Sequence, residues 1–159
     1  FPFWLVAFMS EIVSNPKARR DYQILDTFEA GIVLRGTEVK SIRASHVHIS
    51  DAFARVERDE VWLHNVHIEE YSHGNRQNHL PKAPRKLLLN RPEIRKLREA
   101  STVKGLVLVP LSLYWKNHRV KVALAVGRSK AQYDKRQDLK LRAVERDLTR
   151  ETSLRLKGR

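Results

Sequence analysis

Cysteine is absent from this chain, which excludes disulfides and thiolate metal sites and fits a reducing, cytoplasmic setting. Long apolar runs are absent too. FPFWLVAF at Phe1–Phe8 falls well short of the about 20 residues that cross a bilayer. No basic residues precede it, as a secretory leader would require. With Met9 taken as the start, Phe1–Phe8 is an upstream extension that plays no part in the fold, and no membrane partner is expected. Acidic residues are scarce, with 18 Asp and Glu against 31 Lys and Arg. The six glycines form no glycine-rich phosphate loop, and no nucleophile motif accompanies them, so neither an enzyme nor a cofactor is expected.

What is present is positive charge. A formal net charge of +13 and a pI near 10.4 favour a polyanionic partner, because each phosphate contacted releases condensed counterions. Nucleic acid fits better than an acidic protein or a membrane surface. At 159 residues the chain accommodates one domain with appendages. The expected division is a disordered arm at 1–16, a barrel at 17–128, and a basic tail at 129–159 that is disordered or helical when bound.

Hydrophobic periodicity predicts a mainly β protein with helical inserts. Tyr22, Ile24, Phe28, Ala30, Ile32 and Leu34 alternate on one face of a strand, with Gln23, Thr27, Glu29 and Arg35 on the other and a bend or bulge at Gly31. Thr37 is a candidate N-cap for a short helix through Ala44 whose outer face carries Lys40 and Arg43. Runs at Ala52–Glu57 and Glu60–Ile68 flank a tight turn at Arg58–Asp59. Glu69–Lys86 lacks periodicity and forms a long loop. Asn90 and Glu93 resemble a capping box with Pro92 in the first turn, ahead of a helix buried through Ile94 and Leu97. Gly105–Trp115 and Arg119–Val126 pair around Lys116–His118, with Lys121, Ala123 and Ala125 on the face opposite Val120, Val122, Leu124 and Val126. At least five strands imply a small closed or nearly closed antiparallel barrel with two or three flanking helices.

Two basic surfaces follow. One gathers Lys40, Arg43 and Lys121; the other gathers Arg76, Lys82, Arg85 and Lys86. Tyr71, Tyr114 and Trp115 are candidates for stacking on bases, with core filling the competing role for Trp115. Glu29, an acid on the exposed face of a basic protein, has two readings. It forms a salt bridge to a neighbouring cation, or it accepts a hydrogen bond from a base edge or 2′-hydroxyl. Seven histidines raise the question of a metal, but His64 and His67 are three apart on a predicted strand and point to opposite faces. No metal site is expected. From Arg128 to Arg159 eleven basic residues face five acidic ones, and the apolar stripe Leu141, Val144, Leu148 is too thin to hold a helix on a core.

FEAGIVLRGTEVKSIR at Phe28–Arg43, RKLLLN at Arg85–Asn90, LSLYWK at Leu111–Lys116 and DKR at Asp134–Arg136 occur in one order. Together they resemble small protein B (SmpB), the bacterial tmRNA-binding or SsrA-binding family, from about Asn15 to Asp138. The resemblance implies an oligonucleotide-binding-type (OB-like) barrel that binds the tRNA-like domain of tmRNA. With elongation factor Tu it delivers alanyl-tmRNA to stalled ribosomes for trans-translation. The tail would engage the small-subunit decoding region and the message channel. By matching motif, Glu29, Leu88 and Lys121 are the implied tmRNA contacts, joined by Lys40, Arg43, Arg85 and Lys86 from the basic surfaces. Arg128, Lys130, Tyr133, Asp134, Lys135 and Arg136 are the implied ribosome-engaging residues. The family's glycine-lysine-lysine run is here Gly127-Arg128-Ser129-Lys130-Ala131, so basic character carries over there rather than individual contacts. A monomer is expected. The alternative from a neighbouring class is a generic single-stranded or ribosomal RNA-binding module on the same barrel.

Overall fold

In the computed structural model, residues 9–73, 78–130, 146 and 148–150 are described. From Met9 to Ser129 the elements run in order: β1 Met9–Ser14, α1 Pro16–Asp21, β2 Tyr22–Ile32, α2 Gly36–Arg43, β3 Val47–His48, β4 Phe53–Glu57, β5 Glu60–His64, β6 His67–Ile68, β7 Arg85–Leu88, α3 Arg91–Thr102, β8 Leu106–Lys116 and β9 Arg119–Ser129. Among the described residues no helix is long and apolar enough to cross a membrane.

Seven strands form one antiparallel sheet in the order β1-β8-β4-β5-β7-β2-β9, and β8 also pairs with β9. The pairings therefore run from β8 through β4, β5, β7, β2 and β9 back to β8. Alternation along the strands sets what lies inside. Ala30, Val61, Leu63, Leu87, Leu113, Val122 and Leu124 are all at most 2% exposed and share one apolar core with Leu97 of α3. The turns at Arg58-Asp59 and Asn117-His118 carry positive φ at both residues, the backbone of two-residue hairpins whose twist matches the strands they join.

Several expectations are corrected. Residues 9–14, expected in a disordered arm, add β1 to the edge of β8. Asn15 then caps α1 through Oδ1, which accepts from the Ala18 amide, while Nδ2 donates to the carbonyls of Ile49 and Pro110. The bulge in β2 falls between Ile24 and Asp26, not at Gly31. A second bulge separates Pro110 from Ser112 in β8. It leaves carbonyls that Asn15 satisfies through its amide NH (2.8 Å to Leu111 O) and its side chain, and it accommodates a proline, which has no amide hydrogen to give the ladder. The helix α2 begins at Gly36, with the Arg35 amide donating to Glu38 Oε1 at 3.0 Å. Thr37 sits in the first turn and meets His79 Nδ1 at 2.9 Å. On α3, Asn90 holds the N-cap position without a side-chain hydrogen bond. The sheet extends past 128, the expected end of the barrel, since β9 runs to Ser129.

The loop expected at Glu69–Lys86 is shorter, because Arg85 and Lys86 are in β7. Its described parts are pinned. Asn78 bonds both backbone groups of Tyr71, and buried His79 spans from Thr37 to Ile68 O. The short pair β3–β6 has no counterpart in the sequence pattern. Asn65, at positive φ, separates β5 from β6 and so puts His64 and His67 on different strands.

Candidate nucleic-acid interface

The outer face of the sheet is divided by α1. At one end of β8 and β9, Ala18 of α1 packs with Val109, Leu111 and Ala125 in a second apolar cluster. Small side chains at 18 and 125 let helix and sheet approach closely. Alternation puts Ala125 beside Lys121 on an open face, yet it is fully covered. Beyond the reach of α1, among the described residues, Gly31, Tyr114 and Lys121 on the same outer face are only partly buried and Leu88 is exposed.

On that part of the face, register lines up one residue from each of four adjacent strands. Tyr114 of β8 is opposite Lys121 of β9, Lys121 is opposite Gly31 of β2, and Gly31 is opposite Leu88 of β7. At strand spacings near 4.8 Å the row is about 14 Å long. Gly31 is the reason the row closes up. A Cβ there would lie 3.2 Å from Leu88 Cβ, with Leu88 Cδ1 at 3.6 Å and Lys121 Nζ at 3.7 Å. The absent side chain thus lets a leucine and an ammonium approach one another over bare backbone. Leu88 is 52% exposed, an apolar side chain offered to solvent beside a cation.

Glu29 lies two residues from Gly31 on the same face. Its Oε2 accepts from the Tyr114 hydroxyl at 2.8 Å, and Lys116 Nζ donates to Oε1 at 3.0 Å and to Oε2 at 3.1 Å. Partial burial would raise the Glu29 carboxyl. The hydrogen bonds from Tyr114 and Lys116 and the charges of Lys116 and Lys121 outweigh it and hold the group below the ordinary carboxylate range. Burial and the neighbouring Glu29 push the Tyr114 hydroxyl far above its usual value, so it remains a donor to Glu29 at neutral pH. An ionised carboxylate offers about four acceptor positions, and Tyr114 and Lys116 occupy most of them. Glu29 is therefore a fixed, charged acceptor with capacity left toward solvent. The salt-bridge reading is realised through Lys116, and it leaves the acceptor reading open. The expectation of a neighbouring cation does not single out Lys116 and does not include the Tyr114 hydroxyl; register across β8 and β9 puts both there.

The remaining expected residues divide. Lys86 points outward from β7 and pairs with Glu60 at 3.3 Å. Lys40 is over the Tyr71 ring at 5.2 Å on a helix that packs against β6, so it belongs with the Tyr71 loop and not with Lys121. Arg43 is exposed in the last turn of α2. Arg85 is a correction. It is 3% exposed, its Nε donates to Glu38 Oε2, and its Nη atoms donate to the carbonyls of Val66, Leu80 and Pro81. A buried guanidinium with four of its five N–H donors spent inside the protein is not presented to a phosphate. Trp115 is half-buried against the main core, filling space. Arg128 sits in β9 opposite Gln23 and Leu106, within the sheet. Lys130 donates to Arg19 O at 3.2 Å. Arg76, Tyr133, Asp134, Lys135 and Arg136 lie outside the described residues.

Comparison with known proteins places this geometry. The family profile described as SmpB protein matches residues 12–154. An SsrA-binding protein of Frankia casuarinae is 51% identical over 148 residues, covering 93% of each chain. One from a Geobacillus species is 55% identical over 139 residues, covering 87% of this chain and 90% of its own. A solved structure described as "tmRNA-SmpB: a journey to the center of the bacterial ribosome" shares 45% identity at a TM-score of 0.65, over 76% of this chain and 85% of that one. This chain belongs to the SmpB family.

Proposed function

We propose that this protein is a non-enzymatic adaptor for trans-translation, binding the tRNA-like domain of tmRNA and bringing it to stalled ribosomes. The observation that carries the reading is the row Tyr114–Lys121–Gly31–Leu88, with charged Glu29 beside it. Lys121 supplies a phosphate contact, Leu88 an apolar surface for a base or ribose, and Glu29 an acceptor for a base edge or 2′-hydroxyl. The three together read a folded RNA shape rather than charge alone. The cyclic strand pairing supports an oligonucleotide-binding-type barrel as the scaffold. Elongation factor Tu joins through the alanyl-tmRNA complex, and the basic tail around Tyr133–Arg136 engages the decoding region and message channel. The protein works as a monomer in the cytoplasm.

Replacing Lys121 by alanine tests the site directly. Binding of tmRNA weakens, and the slope of log affinity against log salt falls by about one, as removal of a single phosphate-neutralising charge requires. An unchanged slope removes Lys121 from the RNA surface.

A further inference from the structure

The row ends at Leu88, but the exposed surface does not. Leu88 also lines an open groove of about 690 Å³ between β7, the β4–β5 turn and α3. Five cations line it: Arg58, Lys86, Arg91, Arg95 and Arg98. Three of them follow from helix geometry. Arg91, Arg95 and Arg98 are spaced i, i+4, i+7 and stack along one side of α3, over about 10 Å at 1.5 Å per residue. Buried Leu97 (0% exposed) and Ile94 packed on the core fix the helix so that this stripe borders the groove.

Among the described residues, the only acids lining the groove are Asp59 and Glu60. Asp59 meets Arg98 Nη2 at 2.5 Å and Glu60 meets Lys86 Nζ at 3.3 Å. Both are well-solvated pairs worth little against a competing anion. Arg58, Arg91 and Arg95 have no carboxylate partner among the described residues. Gathering five like charges with two acids is self-repulsive, and a polyanion relieves that repulsion. Guanidinium groups bind phosphate oxygens in pairs of parallel hydrogen bonds. The groove is too open and too charged to enclose a small apolar ligand.

We propose that this groove binds the phosphodiester backbone of the same RNA, continuing its path from Lys121 past Leu88 along Arg91, Arg95 and Arg98. The inference rests on the reading of the sheet row as an RNA surface and lengthens that surface beyond the sheet. Its contacts position the RNA and add affinity without reading sequence.

The test uses the full chain with Arg91 and Arg95 both replaced by alanine, a second form with both replaced by lysine, and Lys121→Ala in parallel. Affinity for tmRNA is measured from about 50 to 200 mM salt, a range chosen to resolve the slope. The alanine pair is expected to bind about tenfold more weakly, with the slope reduced by nearly two. The lysine pair, which keeps the charge, is expected to restore most of the slope. Loss of slope in Lys121→Ala but not in the alanine pair overturns the groove proposal and leaves the sheet row standing. Unchanged slopes in both overturn the groove proposal together with the row. A groove that instead captures an acidic protein segment gives the first of these results, since tmRNA binding then does not involve it.

Discussion

Glu29 illustrates how one acidic residue gains a defined role on a basic surface. Hydrogen bonds from Tyr114 and Lys116 favour its charged form and orient it, so the proposed RNA donor would meet an acceptor already in place. In the folded protein its carboxyl titrates below the ordinary value of 4.5. The carboxylate therefore stabilises the fold at any pH above about 4.5 and loses that contribution as pH falls through its lowered value. With a side chain 40% exposed, the contribution is on the order of a few tenths of a kcal/mol. Glu29→Gln should be marginally less stable than the parent at pH 7, and in urea unfolding the two should converge as pH falls through the lowered carboxyl value. A gap that persists in acid would assign the effect to packing instead. Gly31 is the second decisive residue. Its substitution by valine should favour the strand by propensity while driving Leu88 and Lys121 apart. Thermal stability should stay close to the parent, and tmRNA affinity should fall about tenfold or more. Retained affinity would mean that the closeness of Leu88 and Lys121 does not matter to RNA.

At the scale of elements, β7 shows what could be read from the chain and what could not. Alternation puts Lys86 and Leu88 on the outer face, and both are there. The same alternation turns Arg85 inward, yet RKLLLN next to basic residues looks like a surface motif. Nothing local announces Glu38, 47 residues upstream, as the buried partner that makes an inward arginine tolerable. Arg85→Ala should therefore cost about 3–5 kcal/mol of stability, the cost of leaving Glu38 buried and unpaired. Lys86→Ala should cost under about 1 kcal/mol and act on RNA binding. Denaturant midpoints for the two variants check the contrast, and equal midpoints would contradict the buried-pair account. The same limit explains β1 and α1. MSEIVS is short and polar, and its partner β8 lies far along the chain, with Met9 opposite Lys116. A two-residue strand pair such as β3–β6 leaves no periodicity at all. By contrast, β2, α3 and the turn at Arg58-Asp59 carry their own signals, and the structure has them where alternation and turn chemistry predict.

For the whole molecule, the excess of cations sets the class of partner and the sheet sets which partner. A net charge of +13 attracts any RNA, so charge alone cannot separate an adaptor for one RNA from a generic binder. On the proposed reading, selectivity comes from the outer face beyond α1, which carries the four-strand row and Glu29. The central claim is that this face recognises the folded shape of the tRNA-like domain of tmRNA. The most direct measurement is a competition at near-physiological salt, with labelled tmRNA bound to the full chain and challenged by excess tRNA and excess unstructured RNA. The account predicts that tmRNA stays bound against both. Equal displacement by either competitor would contradict it, because the surface would then be responding to phosphate charge and to nothing more specific.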